Sequence, residues 1–110
     1  MIRHMLANTA RPAAVGFIKT LSDEVARHGI TVNSVGPGWI GTDNMFAYLE
    51  KKVGILPGDV DAFLHGVVPA GRVGTPEEAA SLIAYLCSDL AGYITGEWIA
   101  VDGGKHRFAF

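Results

Sequence analysis

The chain has only two segments that are typical of buried β-strands, and this limits what it can fold into. Each of them, residues 30–35 and residues 97–101, follows a helical pattern. Alternating helices and strands predict a parallel pair joined by a right-handed crossover. Because two parallel strands need more strands beside them and cover on both faces, we expect the carboxyl-terminal part of a larger α/β sheet, or a sheet completed by another chain.

The first helical pattern has apolar residues at helical spacing over residues 14–25. Asn8 or Thr9 could cap its start. Pro12 then fits only the first turn, where the missing N–H has no helical partner. Gly29 ends the helix, because glycine readily takes the left-handed conformation that follows a helix.

A glycine-proline turn and then Thr42, a candidate helix cap, follow the first strand. Ligands of open α/β sheets bind outside the carboxyl ends of the strands, so we expect a small molecule to bind at this turn. Asn33 interrupts the apolar strand. Because a buried asparagine needs hydrogen-bond partners, we expect it to tie the strand end to a neighbouring loop.

The second half of the chain contains the clearest local signal. The sequence TPEE at residues 75–78 combines a threonine cap, proline at the first helical position and the glutamate of a capping box. It predicts a helix that runs to about Leu90. Residues 43–73 show only two short helical patterns, at 43–52 and 61–68, and a segment of this kind is often a binding loop.

Composition excludes several classes of function. With 110 residues, a net charge of −2 and 49% hydrophobic residues, the chain is expected to form one small or partial domain without a basic patch for nucleic acid or anionic membranes. Cys87 is the single cysteine, so a disulfide framework within the chain is excluded, and the four histidines lack metal-ligand spacing. No segment is long and apolar enough to span a membrane, and we expect a cytoplasmic protein.

Several ordered motifs resemble the carboxyl-terminal half of a short-chain dehydrogenase/reductase. They are GITVNSV at residues 29–35, PG-x-I-x-T at 37–42, R-x-G-x-PEE at 72–78, SD-x-A-x-YITG at 88–96 and DGG at 102–104. The resemblance implies a Rossmann-type three-layer α/β/α fold. It also implies an NAD or NADP cofactor, hydride transfer to or from a small carbonyl or alcohol substrate, and assembly with further copies or with a complementing chain.

The resemblance also implies site residues. Pro37, Gly38, Ile40 and Thr42 match the family's loop beside the nicotinamide, where the backbone at the isoleucine position binds the carboxamide. Glycine allows close approach of the backbone, and a threonine at a helix start offers a hydroxyl and N–H groups. Residues 43–73 would correspond to the substrate loop.

The catalytic positions depart from the family pattern. The family's Tyr-x-x-x-Lys pair falls on Ala7 and Arg11, so no catalytic residue is assigned in this atypical or truncated member. Alanine cannot exchange a proton, whereas Arg11 keeps a positive charge that could hold ribose hydroxyls. Two hypotheses follow: a nicotinamide-dependent oxidoreductase, incomplete or inactive as this isolated chain, or a non-catalytic remnant that serves as a binding or oligomerisation module.

Two coincidental motifs give alternative hypotheses. Tyr48 and Lys52 form a Tyr-x-x-x-Lys pair, but the pair follows the glycine-proline turn instead of preceding the strand. Gly36, Gly38 and Gly41 fit the dinucleotide pattern Gly-x-Gly-x-x-Gly, with Asp59 or Asp61 near the spacing of a ribose-binding acid. The second motif would make a small nucleotide-binding unit, although residues 56–58 make a poor second strand.

Overall fold

A computed structural model describes residues 5–106, with side chains from residue 9 onward. The predicted order of helix, strand, excursion, helix and strand is confirmed. The helices are α1 (Met5–Val25), α2 (Asp43–Tyr48), α3 (Val60–His65) and α4 (Pro76–Leu86), and the strands are β1 (Ser34–Pro37) and β2 (Trp98–Val101). Short 3₁₀ turns and one π-helical turn, Leu49–Val53, complete the described structure.

The two strands are hydrogen-bonded neighbours. The Ser34 N–H donates to the Glu97 carbonyl at 2.8 Å, and the Gly38 N–H donates to the Val101 carbonyl at 2.9 Å. Both bonds span the same sequence offset, so the strands run parallel. A small parallel sheet is what alternating helices and strands predict.

Two boundaries differ from the prediction. β1 begins at Ser34, four residues later than expected, because its ladder register is set by a partner strand that begins only at Trp98. α1 extends back to Met5, so Pro12 lies inside the helix and not in its first turn. Proline removes one helical N–H, and the good helix formers methionine, leucine and alanine in the first turn support the longer helix.

The chain divides into two compact units. The first comprises the described residues up to Val35 together with Ala84–Ile99. Its α1 passes into a 3₁₀ turn, Ala26–His28, and ends at Gly29, whose φ of 74° confirms the predicted left-handed stop. α4 ends at Leu86, somewhat before the predicted position, and a 3₁₀ turn, Asp89–Ala91, follows it.

Polar contacts fix the approach to β1 within the first unit. The Asn33 amide donates to the Ile94 carbonyl at 2.9 Å, and its oxygen accepts from the Glu97 N–H at 3.1 Å. Val32 donates to the Thr95 hydroxyl oxygen at 3.0 Å. The predicted tie between Asn33 and a neighbouring loop is confirmed, but Asn33 lies just before β1 and not inside the strand.

The second unit comprises Gly36–Ile83 together with the described residues from Ala100 on. It contains an apolar core in which the buried side chains are Leu49, Val60, Leu64 and Val68. Half-buried apolar residues pack around them, among them Trp39, Phe46 and Phe63. Thus the predicted excursion, residues 43–73, supplies all four buried side chains of this core.

Candidate cofactor-binding loop

Residues 37–42 lie where β1 ends, as the sequence predicts. Pro37 is the last residue of the strand, and the next residue, Gly38, is exposed to solvent. A Cβ atom at Gly38 would lie 2.7 Å from the Asp102 Cβ, so a side chain there would force the backbone to move. The close approach that requires glycine in this turn is therefore to Asp102.

A single parallel bridge fixes the direction of the Ile40 peptide groups. The Gly74 N–H donates to the Trp39 carbonyl at 2.9 Å, and the Gly41 N–H donates to the Gly74 carbonyl at 2.8 Å. Gly74 thus bonds to the residues before and after Ile40. In a parallel ladder, the residue between two such bonds directs its own N–H and C=O away from the partner strand, so those of Ile40 point away from Gly74. The Ile40 carbonyl also accepts the Thr42 N–H at 2.8 Å.

Thr42 is the N-cap of α2, as predicted. Its hydroxyl oxygen accepts a hydrogen bond from the Met45 N–H at 3.2 Å. A threonine hydroxyl can accept and donate at the same time, so its proton is still available to another acceptor. The side chain is exposed, which leaves it accessible to a ligand.

The segment opposite the loop is held by an ion pair. Arg72 donates from Nη2 to Glu78 Oε1 at 2.7 Å and from Nη1 to Oε2 at 2.9 Å. The predicted capping box is confirmed, because the Thr75 N–H donates to Glu78 Oε2 at 2.8 Å and the Glu78 N–H donates to the Thr75 hydroxyl oxygen at 3.1 Å. The hydrogen bonds from Arg72, followed by that from the Thr75 backbone, lower the pKa of Glu78 to about 2.

A second carboxylate organises the turn after β2. Asp102 accepts the N–H groups of Gly104, Lys105 and His106 at 2.9, 3.2 and 2.9 Å, and it lies 2.9 Å from His106 Nδ1. Burial alone raises the pKa of Asp102, but these hydrogen bonds outweigh it and leave the pKa below its usual value. In the sequence, this DGG segment is one of the motifs that carry the family resemblance, and no site residue was predicted there.

A cavity of about 410 Å³ lies within the second unit. The loop contributes Trp39 and Ile40, the ion pair contributes Arg72 and Glu78, and the remaining walls are Val68, Ala70, Gly74 and residues of the segment 100–106. The Trp39 indole packs edge-on against Phe63, with ring centroids 6.2 Å apart. In the sequence, Arg72 and Glu78 appear only as part of the R-x-G-x-PEE motif. That motif supported the family resemblance, but it did not show that the two residues line a cavity.

The predicted site residues are not all in one unit. Pro37, Gly38, Ile40 and Thr42 belong to the second unit, whereas Arg11 belongs to the first, on the exposed surface of α1. Ala7 lies in α1, and its side chain is outside the described residues. Four of the five predicted cofactor contacts therefore lie in one unit and the fifth lies in the other.

Residues 5–106 contain neither a metal-ligand cluster nor a helix that could span a membrane. Within that range, no three His, Cys, Asp or Glu side chains are close enough together to hold a metal ion. None of the helices described there is both long and apolar enough to cross a bilayer.

Comparison with known proteins identifies the family. A family model described as enoyl-(acyl carrier protein) reductase matches residues 3–106. The 3-oxoacyl-(acyl-carrier-protein) reductase FabG of Salmonella typhimurium is 46% identical over 98 residues, which are 88% of this chain and 36% of FabG. The short-chain reductase protein NovJ of Streptomyces niveus is 39% identical over 100 residues, 88% of this chain and 37% of NovJ.

Solved structures agree. YwfH, an NADPH-dependent reductase involved in bacilysin biosynthesis, superposes with a TM-score of 0.79 at 36% identity over 88% of this chain and 38% of its own. A 3-oxoacyl-(acyl-carrier protein) reductase from Brucella melitensis gives 0.74 at 30% identity, over 91% of this chain and 34% of its own. The chain belongs to the short-chain dehydrogenase/reductase family, and the predicted Rossmann-type fold class is confirmed. It spans little more than a third of the length of these relatives.

Proposed function

We propose that the chain forms the nicotinamide-side part of an NAD- or NADP-dependent oxidoreductase. The observation that carries the proposal is the Ile40 peptide. The bridge to Gly74 uses the flanking Trp39 carbonyl and Gly41 N–H, so the N–H and C=O of Ile40 face away from it. The N–H and the C=O of Ile40 thus offer one donor and one acceptor to a carboxamide, which has the same two functions, and the carbonyl oxygen also accepts the Thr42 N–H at 2.8 Å through one of its two lone pairs.

The residues present fit such a cofactor. Ile40 would hold the carboxamide through its backbone, and the Thr42 hydroxyl would donate to an amide or phosphate oxygen. Pro37 and Gly38 would border the ring, and Arg11 would hold ribose hydroxyls. The nicotinamide, when bound, supplies or accepts a hydride. The described residues of this chain bind and orient it, and YwfH, which matches most of this chain, is NADPH dependent.

Proton transfer needs a group that the matched positions do not supply. The family's tyrosine position is Ala7, so this position supplies no phenol whose pKa Arg11 could lower. This observation favours the second candidate function, a non-catalytic module that binds a further copy or a complementing chain. For the oxidoreductase, the expected substrate is a small carbonyl or alcohol compound, in line with the FabG relatives, which are 3-oxoacyl reductases.

The glycine motif offers a third candidate, a small nucleotide-binding unit built on Gly36, Gly38 and Gly41. Two observations weigh against it. Gly36 lies inside β1, so it is not in the turn, and residues 57–59, where the second strand of such a unit would be expected, form a 3₁₀ turn. Gly38 faces Asp102, which would compete with a pyrophosphate for the space beside it.

The proposal is tested by titrating NADH and NADPH into the purified chain and following nicotinamide fluorescence. Thr42→Val removes the hydroxyl and should weaken binding roughly two- to tenfold, the range expected for one hydrogen bond. Thr42→Ser keeps the hydroxyl and the helix cap, and it should bind like the unaltered chain.

Three results separate the candidates. Absence of binding to either nucleotide rejects the cofactor-loop proposal and leaves the non-catalytic module. Binding without turnover supports the loop and agrees with Ala7 at the tyrosine position. Binding together with oxidation of NADPH on addition of a carbonyl compound shows that another group replaces the tyrosine.

A further inference from the structure

We propose that Arg72 and Glu78 are positioning residues for the Ile40 peptide. This inference rests on the proposed function, because it assigns to the pair the task of holding the cofactor-binding loop. Neither residue belongs to that loop. Their effect passes through Gly74, the residue whose N–H and C=O make both hydrogen bonds of the bridge to the loop.

The ion pair holds the backbone on both sides of Gly74. On one side, Arg72 Nη1 donates to the Val73 carbonyl at 3.0 Å. On the other side, the Thr75 N–H donates to Glu78 Oε2 at 2.8 Å. The bidentate contact between Arg72 and Glu78 joins these two anchors, and planar guanidinium–carboxylate pairs of this kind restrict orientation strongly. Gly74 is therefore clamped from both neighbours.

Residues 73–74 pack closely against Ile40 and Gly41 of the loop. A Cβ atom at Gly74 would lie 2.9 Å from Ile40 Cδ1, and one at Gly41 would lie 2.9 Å from Val73 Cγ1. Both distances are shorter than ordinary carbon contacts. The Ile40 and Val73 side chains therefore leave no room for a side chain at Gly74 or Gly41. A displacement of residues 73–74 reaches Ile40 and Gly41 through the two hydrogen bonds of the bridge.

The exposure of the pair argues for positioning over simple stabilisation. The side chains of Arg72 and Glu78 are 56% and 43% exposed, and ion pairs in water usually add little to global stability. The hydrogen bonds to Glu78 lower its pKa to about 2, so its carboxylate stays ionised well into the acidic range. We expect the effect of the pair to be on local geometry.

The test compares Glu78→Gln with Glu77→Gln. Glutamine at 78 can still accept from the Thr75 N–H, so the capping box survives while the ion pair is lost. Glu77 lies one residue earlier in the same turn of α4 and is not part of the ion pair with Arg72. Glu77→Gln therefore removes the same charge as Glu78→Gln while the ion pair stays intact. Amide hydrogen exchange is measured at Gly41 and Gly74, and binding is measured for NADH and for ADP-ribose, which lacks the nicotinamide.

In Glu78→Gln, we expect faster exchange at Gly41 and Gly74, and NADH binding weakened roughly three- to tenfold with ADP-ribose binding nearly unchanged. Glu77→Gln should change neither. Gly74→Ala should also weaken NADH binding more than ADP-ribose binding, because its Cβ atom would lie 2.9 Å from Ile40 Cδ1 and would crowd the loop at that residue. A purely structural role would instead weaken both ligands equally.

Unchanged exchange at Gly41 and Gly74 in Glu78→Gln would overturn the positioning role, whatever the chain does with nucleotides. Faster exchange in a chain whose unaltered form does not bind NADH would reject the proposed function, and with it the role of the pair toward a cofactor. If Glu78→Gln does not fold, Arg72→Lys provides the same comparison, because lysine keeps the charge and loses the bidentate geometry.

Discussion

The two compact units are stabilised in different ways. The second unit has a core of fully buried aliphatic side chains, with Leu49 and Leu64 at 0% exposure. Among the described residues of the first unit, the buried side chains are Ser22 and Ala91. Large apolar side chains there are exposed, with Leu90 at 84% and Phe17 at 68%. The first unit therefore depends more on specific polar contacts than on apolar burial.

Those polar contacts concentrate at one place. Asn33 bonds to both Ile94 and Glu97, and the Gly96 N–H donates to the Val32 carbonyl at 2.7 Å. A Cβ atom at Gly96, whose φ is +72°, would lie 2.6 Å from the Ser22 hydroxyl oxygen. The comparison teaches that the loss of a polar group should damage the first unit most, and the loss of buried apolar volume the second.

The largest effect is expected from a cavity in the second unit. Leu64→Ala removes a fully buried side chain and should lower the free energy of unfolding by about 2 to 5 kcal/mol. Leu90→Ala is the matched control in the first unit, and at 84% exposure it should change stability by no more than about 0.5 kcal/mol. Urea unfolding followed by circular dichroism measures both. Equal losses would contradict the comparison.

A smaller effect is expected from a polar deletion in the first unit. Asn33→Ala leaves the Ile94 carbonyl and the Glu97 N–H without their partner and should cost about 1 to 3 kcal/mol. Ser34→Ala is the adjacent control, because the Ser34 hydroxyl oxygen is buried and has no hydrogen-bond partner in the described part of the chain. Its removal should be neutral or stabilising. A larger loss for Ser34→Ala than for Asn33→Ala would refute this interpretation.

The smallest effect is a pH dependence of the second unit. The folded-state pKa of Glu78, about 2, lies below the 4.5 that is usual for a glutamate. Its contribution to stability is therefore present above about pH 4.5 and is lost as the pH falls toward 2. The difference in thermal midpoint between the unaltered chain and Glu78→Gln should shrink over that window. A difference that stays constant from pH 6 to pH 2 would show that the ionised carboxylate adds nothing.

Local signals in the sequence predicted the structure well. The capping box at residues 75–78, the left-handed stop at Gly29 and the cap at Thr42 depend on a few neighbouring residues, and all three are confirmed. The start of β1 was predicted four residues too early, because register depends on β2, which lies some sixty residues further along the chain.

The candidate site was only partly predictable. A resemblance supplied Pro37, Gly38, Ile40 and Thr42, but sequence alone could not show that the bridge to Gly74 directs the Ile40 peptide. The Arg72–Glu78 pair was visible as a motif, with arginine three residues before the cap, yet its contact with the backbone around Gly74 appears only in three dimensions. Whether Arg11 and Thr42 contact one cofactor stays a prediction.

The Thr42 hydroxyl has a consequence beyond capping. Its oxygen accepts from Met45 in the first turn of α2, while its proton is available to a ligand. A hydroxyl that donates becomes a better acceptor, so the two hydrogen bonds reinforce each other. A molecule that takes this proton would tighten the beginning of α2, and a well-formed α2 would in return raise the affinity for that molecule. Ligand binding at the Thr42 hydroxyl and the order of α2 are thus coupled through one oxygen atom, and each favours the other.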